Sequence, residues 1–464
     1  MSREPVQGRA RLPDRARRAM IGSGPPTEPL ALRAGPGGVD EATARSALSL
    51  ALRIGEAMMA VGASAADVTA SALRVAAAYG LTDCQVDMTF TSLTIGYDPD
   101  DVPPLTLMRI VRPRGLDYTR LQGITDLATE VTDGVLGVEE AHRRLDAVLA
   151  APHPYRRSLH ALGWSGVAAC VAALLGGNWL VAVVAAVTTA VVERTIRALN
   201  RRGLPVFFQQ AAGAAVVTST AVALVAAGVD IRASLVVAAG IVVLLAGLYL
   251  VGAAEDAISG FPVTAAARAF EVITLTTGIV VGIAAVLDVA RRVEVPLRVV
   301  DPATVTVPFA VALTAAALMG GSWALASYAG PRGLAVAVVA GGLSWATTAA
   351  AGAVGVGPAV ASAAAAAVVG FGGEALGGRL RVPALLVAVC GIVPLLPGLA
   401  IYRGLFAVVV GGDVAGGTAE LVGAAAIGLA LAAGVVLGRY LGRPLGGQLD
   451  RYERRVRRRA SLVD

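Results

Sequence analysis

Ile231–Asp256 reads IRASLVVAAGIVVLLAGLYLVGAAED. From Ile231 to Ala254 the single charge is Arg232, near the start, and two carboxylates, Glu255 and Asp256, close the run. Roughly twenty consecutive apolar residues in a helix, rising 1.5 Å each, cross a hydrocarbon core of about 30 Å. A helix apolar on all sides has no face for water, so its solvent is lipid or protein. Nine further runs resemble it: about Leu159–Leu175, Trp179–Val192, Val206–Ala227, Ala265–Leu287, Val305–Ala329, Leu334–Gly352, Ala359–Phe371, Val382–Ile401 and Leu421–Leu437. The shortest, Trp179–Val192 and Ala359–Phe371, need polar flanking residues to span. The expected fold is a polytopic α-helical membrane protein of about ten transmembrane helices.

Composition agrees. The 464 residues are 56% hydrophobic with a mean hydropathy of +0.70, above the 45–50% apolar content of soluble domains. The chain lacks lysine, so arginine supplies every basic residue behind the net charge of +6. These arginines sit in both tails and in short loops, which is positive-inside topology rather than a nucleic-acid-binding surface. Arg194, Arg197, Arg201, Arg202, Arg268, Arg332, Arg379 and Arg381 fall on one side with both termini, which places N and C termini in the cytoplasm and the protein in the inner (plasma) membrane. The scattered Cys84, Cys170 and Cys390 suggest neither a disulfide framework nor a zinc site, and His142, His153 and His160 all precede or open the first run. No metal and no cofactor is expected.

Before the first span the chain changes character. Residues 1–40, rich in Arg, Pro and Gly, read as a disordered tail. Residues 41–157 read as a small soluble α+β domain in the cytoplasm: a helix over Ser46–Ala60, a second opened by Ser64 with Asp67 three residues on and closed by Gly80, strands at Gln85–Ile95 and Leu105–Val111, and helices at Tyr118–Thr132 and Val138–Leu149. Residues 158–290 and 303–442 then form two five-span halves, and 443–464 a basic cytoplasmic tail. Ala173–Trp179 (ALLGGNW) and Ala317–Trp323 (ALMGGSW) each end the first span of a half. Since five spans per repeat invert the second copy, the halves are expected to be inverted repeats, a common architecture of secondary transporters.

Ionisable groups beside spans are costly and therefore functional candidates. Glu255, Asp256, Arg268 and Glu271 cluster where the fourth and fifth spans meet, although an ordinary loop would carry the same residues. Glu374, after Gly372 and Gly373, is either a proton carrier or a loop carboxylate. Ile392–Gly398 (IVPLLPG) brings Pro394, Pro397 and Gly398 into an apolar run, with Tyr402 and Arg403 beyond. Proline removes amide donors, so the helix there is expected to break and expose backbone poles to a small charged substrate. No P-loop, His-Glu-x-x-His or Gly-x-Ser-x-Gly pattern occurs, so the residues support a transporter rather than an enzyme.

Together, Met58–Gly80 (MMAVGASAADVTASALRVAAAYG), Asp87–Ile95, Arg109–Arg112, Leu244–Arg268, Val382-Pro383-Ala384 and Val393–Gly398 resemble the threonine/serine exporter family. In the first half the family's Pro-Gly pair, Asp, Gly and Arg correspond to Ala246-Gly247, Asp256, Gly260 and Arg268, with alanine where the family has proline. The resemblance implies export of small amino acids such as L-threonine and L-serine in antiport with protons, the broken helix and Asp256 or Glu374 serving the two poles of a zwitterion. It leaves open a homo-oligomer. Two alternatives remain: a dicarboxylate exporter, with Arg268 and Arg403 as its cationic poles, and a membrane-anchored sensing or scaffold protein.

Overall fold

The computed structural model describes residues 40–99, 103–112, 115–229, 231–244, 247–293, 307–409 and 412–460. The expected tail over residues 1–40 lies, apart from Asp40, outside them.

The N-terminal unit begins with α1 (Glu41–Ala60) and α2 (Ala65–Ala78), joined by a turn in which Gly62 takes φ +96°. Ser64 caps α2 as expected: its hydroxyl accepts the Asp67 amide and donates to the Asp67 carboxylate. Three strands, β1 (Cys84–Met88), β2 (Ser92–Tyr97) and β3 (Leu105–Ile110), form an antiparallel meander with Val86 opposite Ile95 and Ile95 opposite Leu107. The single strand expected over Gln85–Ile95 is therefore two. Thr89 and Ser92, joined by backbone and hydroxyl hydrogen bonds, make a hairpin without glycine or proline to signal it. Helices α3 (Tyr118–Thr132) and α4 (Val138–Ala150) complete the unit. Leu48, Ile54, Val68, Leu93, Ile95 and Ile124 fill its core.

The apolar region comprises α5 (Arg157–Leu174), α6 (Trp179–Arg201), α7 (Val206–Ala226), α8 (Ala233–Val242), α9 (Gly247–Ile258) and α10 (Pro262–Arg292). It continues with α11 (Phe309–Ala326), α12 (Pro331–Ala353), α13 (Pro358–Leu380), α14 (Ala384–Ile392), a 3-10 turn (Val393–Leu395), α15 (Gly398–Val409) and α16 (Val414–Ala460). Seven of these, α6, α7, α10, α11, α12, α13 and the first 32 residues of α16, are long and apolar enough to cross a membrane. The other three expected spans differ for physical reasons. Arg157 and His160 make the first turn of α5 polar, while the fourth and ninth runs are each two short helices.

The ninth run breaks where proline and glycine predict. Pro394 cannot donate to the Cys390 carbonyl, and the helix resumes only at Gly398. Ser344 of α12, fully buried, donates its hydroxyl to the Gly391 carbonyl at the break, supplying inside the protein what lipid cannot. In the fourth run α8 ends at Val242 and α9 starts at Gly247, with no proline in the run. The two pieces pack on different neighbours: α8 lies on α6 and α7, and α9 on α10 and α16.

Packing follows one order in both halves. The first helix lies on the second (α5 on α6, α11 on α12), the third on the fifth (α7 on α10, α13 on α16), and the outer part of the broken helix on the fifth (α9 on α10, α15 on α16). The halves meet through α5 on α11 and by exchange, α9 against α16 and α15 against α10. The glycine motif offered for this repeat does not correspond. ALLGGNW ends α5 and caps α6 through Asn178, leaving Trp179 76% exposed, whereas ALMGGSW lies within α11 and Trp323 packs edge-on against Trp164.

Candidate functional site

The close approach of α13 and α16 begins the site. Gly434, Gly438 and Gly442 recur every four residues on α16, and such small residues let helix backbones touch. A Cβ at Gly434 would lie 2.2 Å from the Ala363 carbonyl oxygen, one at Gly438 2.2 Å from that of Ala367, and one at Gly442 2.9 Å from that of Phe371. This stripe brings Arg439 against α13. Its Nε lies 3.3 Å from Glu374, its Nη1 3.3 Å from Glu255 of α9, and its Nη2 2.7 Å from Asp67 of α2. One guanidinium therefore joins three helices, and its side chain is 13% exposed.

A second ion pair lies beside it. Asp256 on α9 is fully buried; Arg268 Nε of α10 stands 3.2 Å from its Oδ2, and the Ala65 amide donates to its Oδ1 at 3.2 Å. Ala65 is the first residue of α2, so its N–H has no partner within the helix, and the carboxylate meets the positive end of that helix. Gly252, one turn before Asp256, leaves room for Arg268: a Cβ there would lie 2.7 Å from its Nη1. Glu271, one turn beyond Arg268, keeps its Oε2 buried without a hydrogen-bond partner. A cavity of about 60 Å³ lies beside these groups; Glu255 and Arg268 line it, with Gly62 and Ser64 of the N-terminal unit, Val251 of the first half and Val389 beside the α14 break, while Asp256, Glu271 and Arg439 stand behind that lining.

Asp67 lies outside the apolar helices. Burial pushes its carboxyl upward, but the charge and hydrogen bond of Arg439, with the Ser64 hydroxyl, outweigh burial and hold it below its ordinary value.

Of the residues singled out from sequence, Glu255, Asp256, Arg268, Glu271 and Glu374 come together. None of the first four lies in a loop: Glu255 and Asp256 are inside α9, and Arg268 and Glu271 inside α10, while Glu374 is inside α13. Pro394 sits in the 3-10 turn, Pro397 is buried after it, and Gly398 opens α15, whose second turn carries Tyr402 and Arg403. Pro394, Pro397, Gly398 and Arg403 do not line the cavity. Arg439 and Asp67 are not among the sequence candidates, Asp67 being read there only as part of a helix cap. The glycine spacing around Arg439, an arginine amid Val435, Val436, Leu437 and Leu441, was the signal available for the first. For Asp67 only the tertiary contact reveals it.

The N-terminal unit also grips the second half. Tyr118 N–H donates to the Ser327 carbonyl at 3.0 Å, the Thr119 hydroxyl to that of Tyr328 and Gln122 Nε2 to that of Arg381 at 2.8 Å. Tyr328 and Arg381 have φ of 55° and 52°, and are the left-handed non-glycine residues among those described. Helix α3 thus holds both strained loops in place.

Residues 49–290 match the family model described as "Putative threonine/serine exporter", and residues 310–441 the one described as "Threonine/Serine exporter, ThrE". The chain is 44% identical over 418 residues to the "Probable threonine/serine exporter" of Mycobacterium tuberculosis (strain H37Rv), an alignment covering 88% of this chain and 79% of that protein. It is 35% identical over 419 residues to the "Threonine/serine exporter" of Corynebacterium glutamicum, covering 88% and 84% respectively. No solved structure matches the chain.

Proposed function

This chain belongs to the threonine/serine exporter family, and from that premise we propose that it exports L-threonine and L-serine through the cavity between α9, α10, α14 and α16, in exchange for protons. The observation that carries the reading is the buried cluster itself, which offers both signs of charge at one place. A zwitterion needs a cation for its carboxylate and an anion for its ammonium. Arg268 and Arg439 supply the first; Asp256 and Glu255 supply the second.

Charge balance favours proton coupling. Asp67, Glu255, Asp256, Glu271 and Glu374 surround two largely buried guanidiniums, Arg268 and Arg439, with Arg443 exposed one turn further on. Buried charge persists only when compensated, so the surplus carboxylates favour taking up a proton or an ammonium group. Exchange of one for the other is antiport.

The equal packing order of the two halves supports ten crossings built as two inverted five-helix repeats, with α8–α9 and α14–α15 as broken fourth helices in corresponding positions. Loop arginines favour a cytoplasmic N-terminal unit and a cytoplasmic end of α16, with the protein in the inner membrane. In this arrangement Pro394, Pro397 and Gly398 shape the second break, and Tyr402 and Arg403 stand on its outer segment.

The test is efflux of labelled threonine from proteoliposomes under an imposed proton gradient. Wild-type protein is expected to release threonine and serine, and to do so faster when protons flow inward against the substrate. Asp256→Asn keeps the acceptor for the Ala65 amide but removes the charge, and is expected to abolish gradient-driven release at equal reconstitution. Release that ignores the gradient defeats the coupling; undiminished release by Asp256→Asn removes Asp256 from the mechanism.

A further inference from the structure

We infer that residues 62–67, the tip of the N-terminal unit, form the gate of the transport cavity on their side, and that Asp67 is a positioning residue for transport because it holds that gate shut through Arg439. The inference rests on the reading of this cavity as the substrate site.

Gly62 and Ser64 form one wall of the cavity, so lifting the tip opens the cavity to the side on which the N-terminal unit lies. At about 60 Å³ the cavity holds a few water molecules. An amino acid of eight heavy atoms must displace a wall to enter. The wall built from the separate N-terminal unit is the one whose movement breaks no transmembrane helix.

The two polar contacts that seat the tip have a common logic. The Ala65 amide, at the positive end of α2, donates to Asp256, while the Asp67 carboxylate pairs with Arg439 at 2.7 Å. The tip therefore presents a positive pole to an anion and a carboxylate to a cation, the same two poles as an amino-acid zwitterion. Substrate and tip compete for the same groups: an ammonium offered to Asp256 displaces the amide, and a substrate carboxylate offered to Arg439 displaces Asp67. Binding thereby releases the gate, and departure of substrate restores it. Meanwhile the hydrogen bonds from α3 to Ser327, Tyr328 and Arg381 keep the unit attached while its tip moves.

The experiment places a reporter cysteine in the cavity wall as Val251→Cys, with Cys84, Cys170 and Cys390 replaced. Sealed membrane vesicles whose N-terminal units face outward are treated with a membrane-impermeant maleimide. Labelling is expected to be slow in this background, since Val251 is buried. Asp67→Asn is expected to speed it by about fivefold or more, the lower range of coupling between sites, and Asp67→Glu to keep it slow. Ala65→Pro is the independent variant: proline is accepted at the first position of a helix and puts a ring methylene where the amide donor met Asp256, so it too is expected to speed labelling. Labelling of Asp67→Asn and Ala65→Pro no faster than that of the parent, at wild-type abundance, overturns the gate. If only one variant folds, its rate alone decides. A separate arm adds threonine to the parent: faster labelling supports competition. If the variants speed labelling while threonine does nothing, the gate stands and the substrate reading falls. If threonine changes labelling while the variants do not, the gate falls and the substrate reading stands.

Discussion

Replacing Gly438 by alanine tests how the site is assembled. The added Cβ would lie 2.2 Å from the Ala367 carbonyl oxygen and 2.8 Å from the Phe371 nitrogen. A relaxed carbon–oxygen contact is about 3.3 Å or more, so α16 must retreat from α13 by about 1 Å. Both obstructing atoms are backbone, and no side chain can swing away to absorb the strain. Overpacking costs about 1–3 kcal/mol, and a backbone obstruction puts this substitution at the upper end, near a hundredfold in the folding equilibrium. The same retreat stretches the 3.3 Å contact between Arg439 and Glu374 beyond ion-pair range, so activity falls along with stability. Gly423, on the same helix with nothing within 4 Å of its Cβ position, is the internal control. The assay is the apparent melting temperature of purified protein in detergent, with threonine efflux alongside. Gly438→Ala is expected to lower both and Gly423→Ala to leave both near wild type. Equal melting of the two variants would refute the claim that the glycine stripe sets the helix approach.

Ser344→Ala leaves the Gly391 carbonyl without its hydroxyl donor at the broken helix and is expected to cost about 1–3 kcal/mol, read as a lower melting temperature. Gly252→Ala pushes a Cβ towards Arg268 Nη1; because that guanidinium can move, efflux is expected to fall more than melting temperature, measured on the same preparation. Asp67 is held below its ordinary value of 3.8, so its contribution to stability is fully present above that pH and is lost as the pH falls through the lower value of the folded protein. Acid unfolding followed by tryptophan fluorescence is expected to show this loss in wild type and a flatter acid limb in Asp67→Asn.

The apolar runs determined by themselves that this is a multi-helix membrane protein, since roughly twenty residues without charge have no stable alternative to lipid or to a partner helix. Local chemistry was equally decisive where it needs only neighbours in the chain: Ser64 capping α2, the limits of α3 at Tyr118–Thr132, and the break after Ile392 forced by Pro394. The hairpin at Thr89–Ser92 escaped because its turn rests on hydroxyl contacts rather than on glycine. Tertiary structure decided the rest. That α8 ends at Val242 and a separate α9 starts at Gly247 is not marked by proline, and the two pack on different neighbours, α8 on α6 and α7 and α9 on α10 and α16. Asp256 reads as a loop carboxylate until Arg268 and the Ala65 amide, 191 residues away, bury it. Asp67 and Arg439 lie 372 residues apart. Charge in a sequence has a place but no surroundings, and it is the surroundings, buried or wet, paired or alone, that make a carboxylate part of a site.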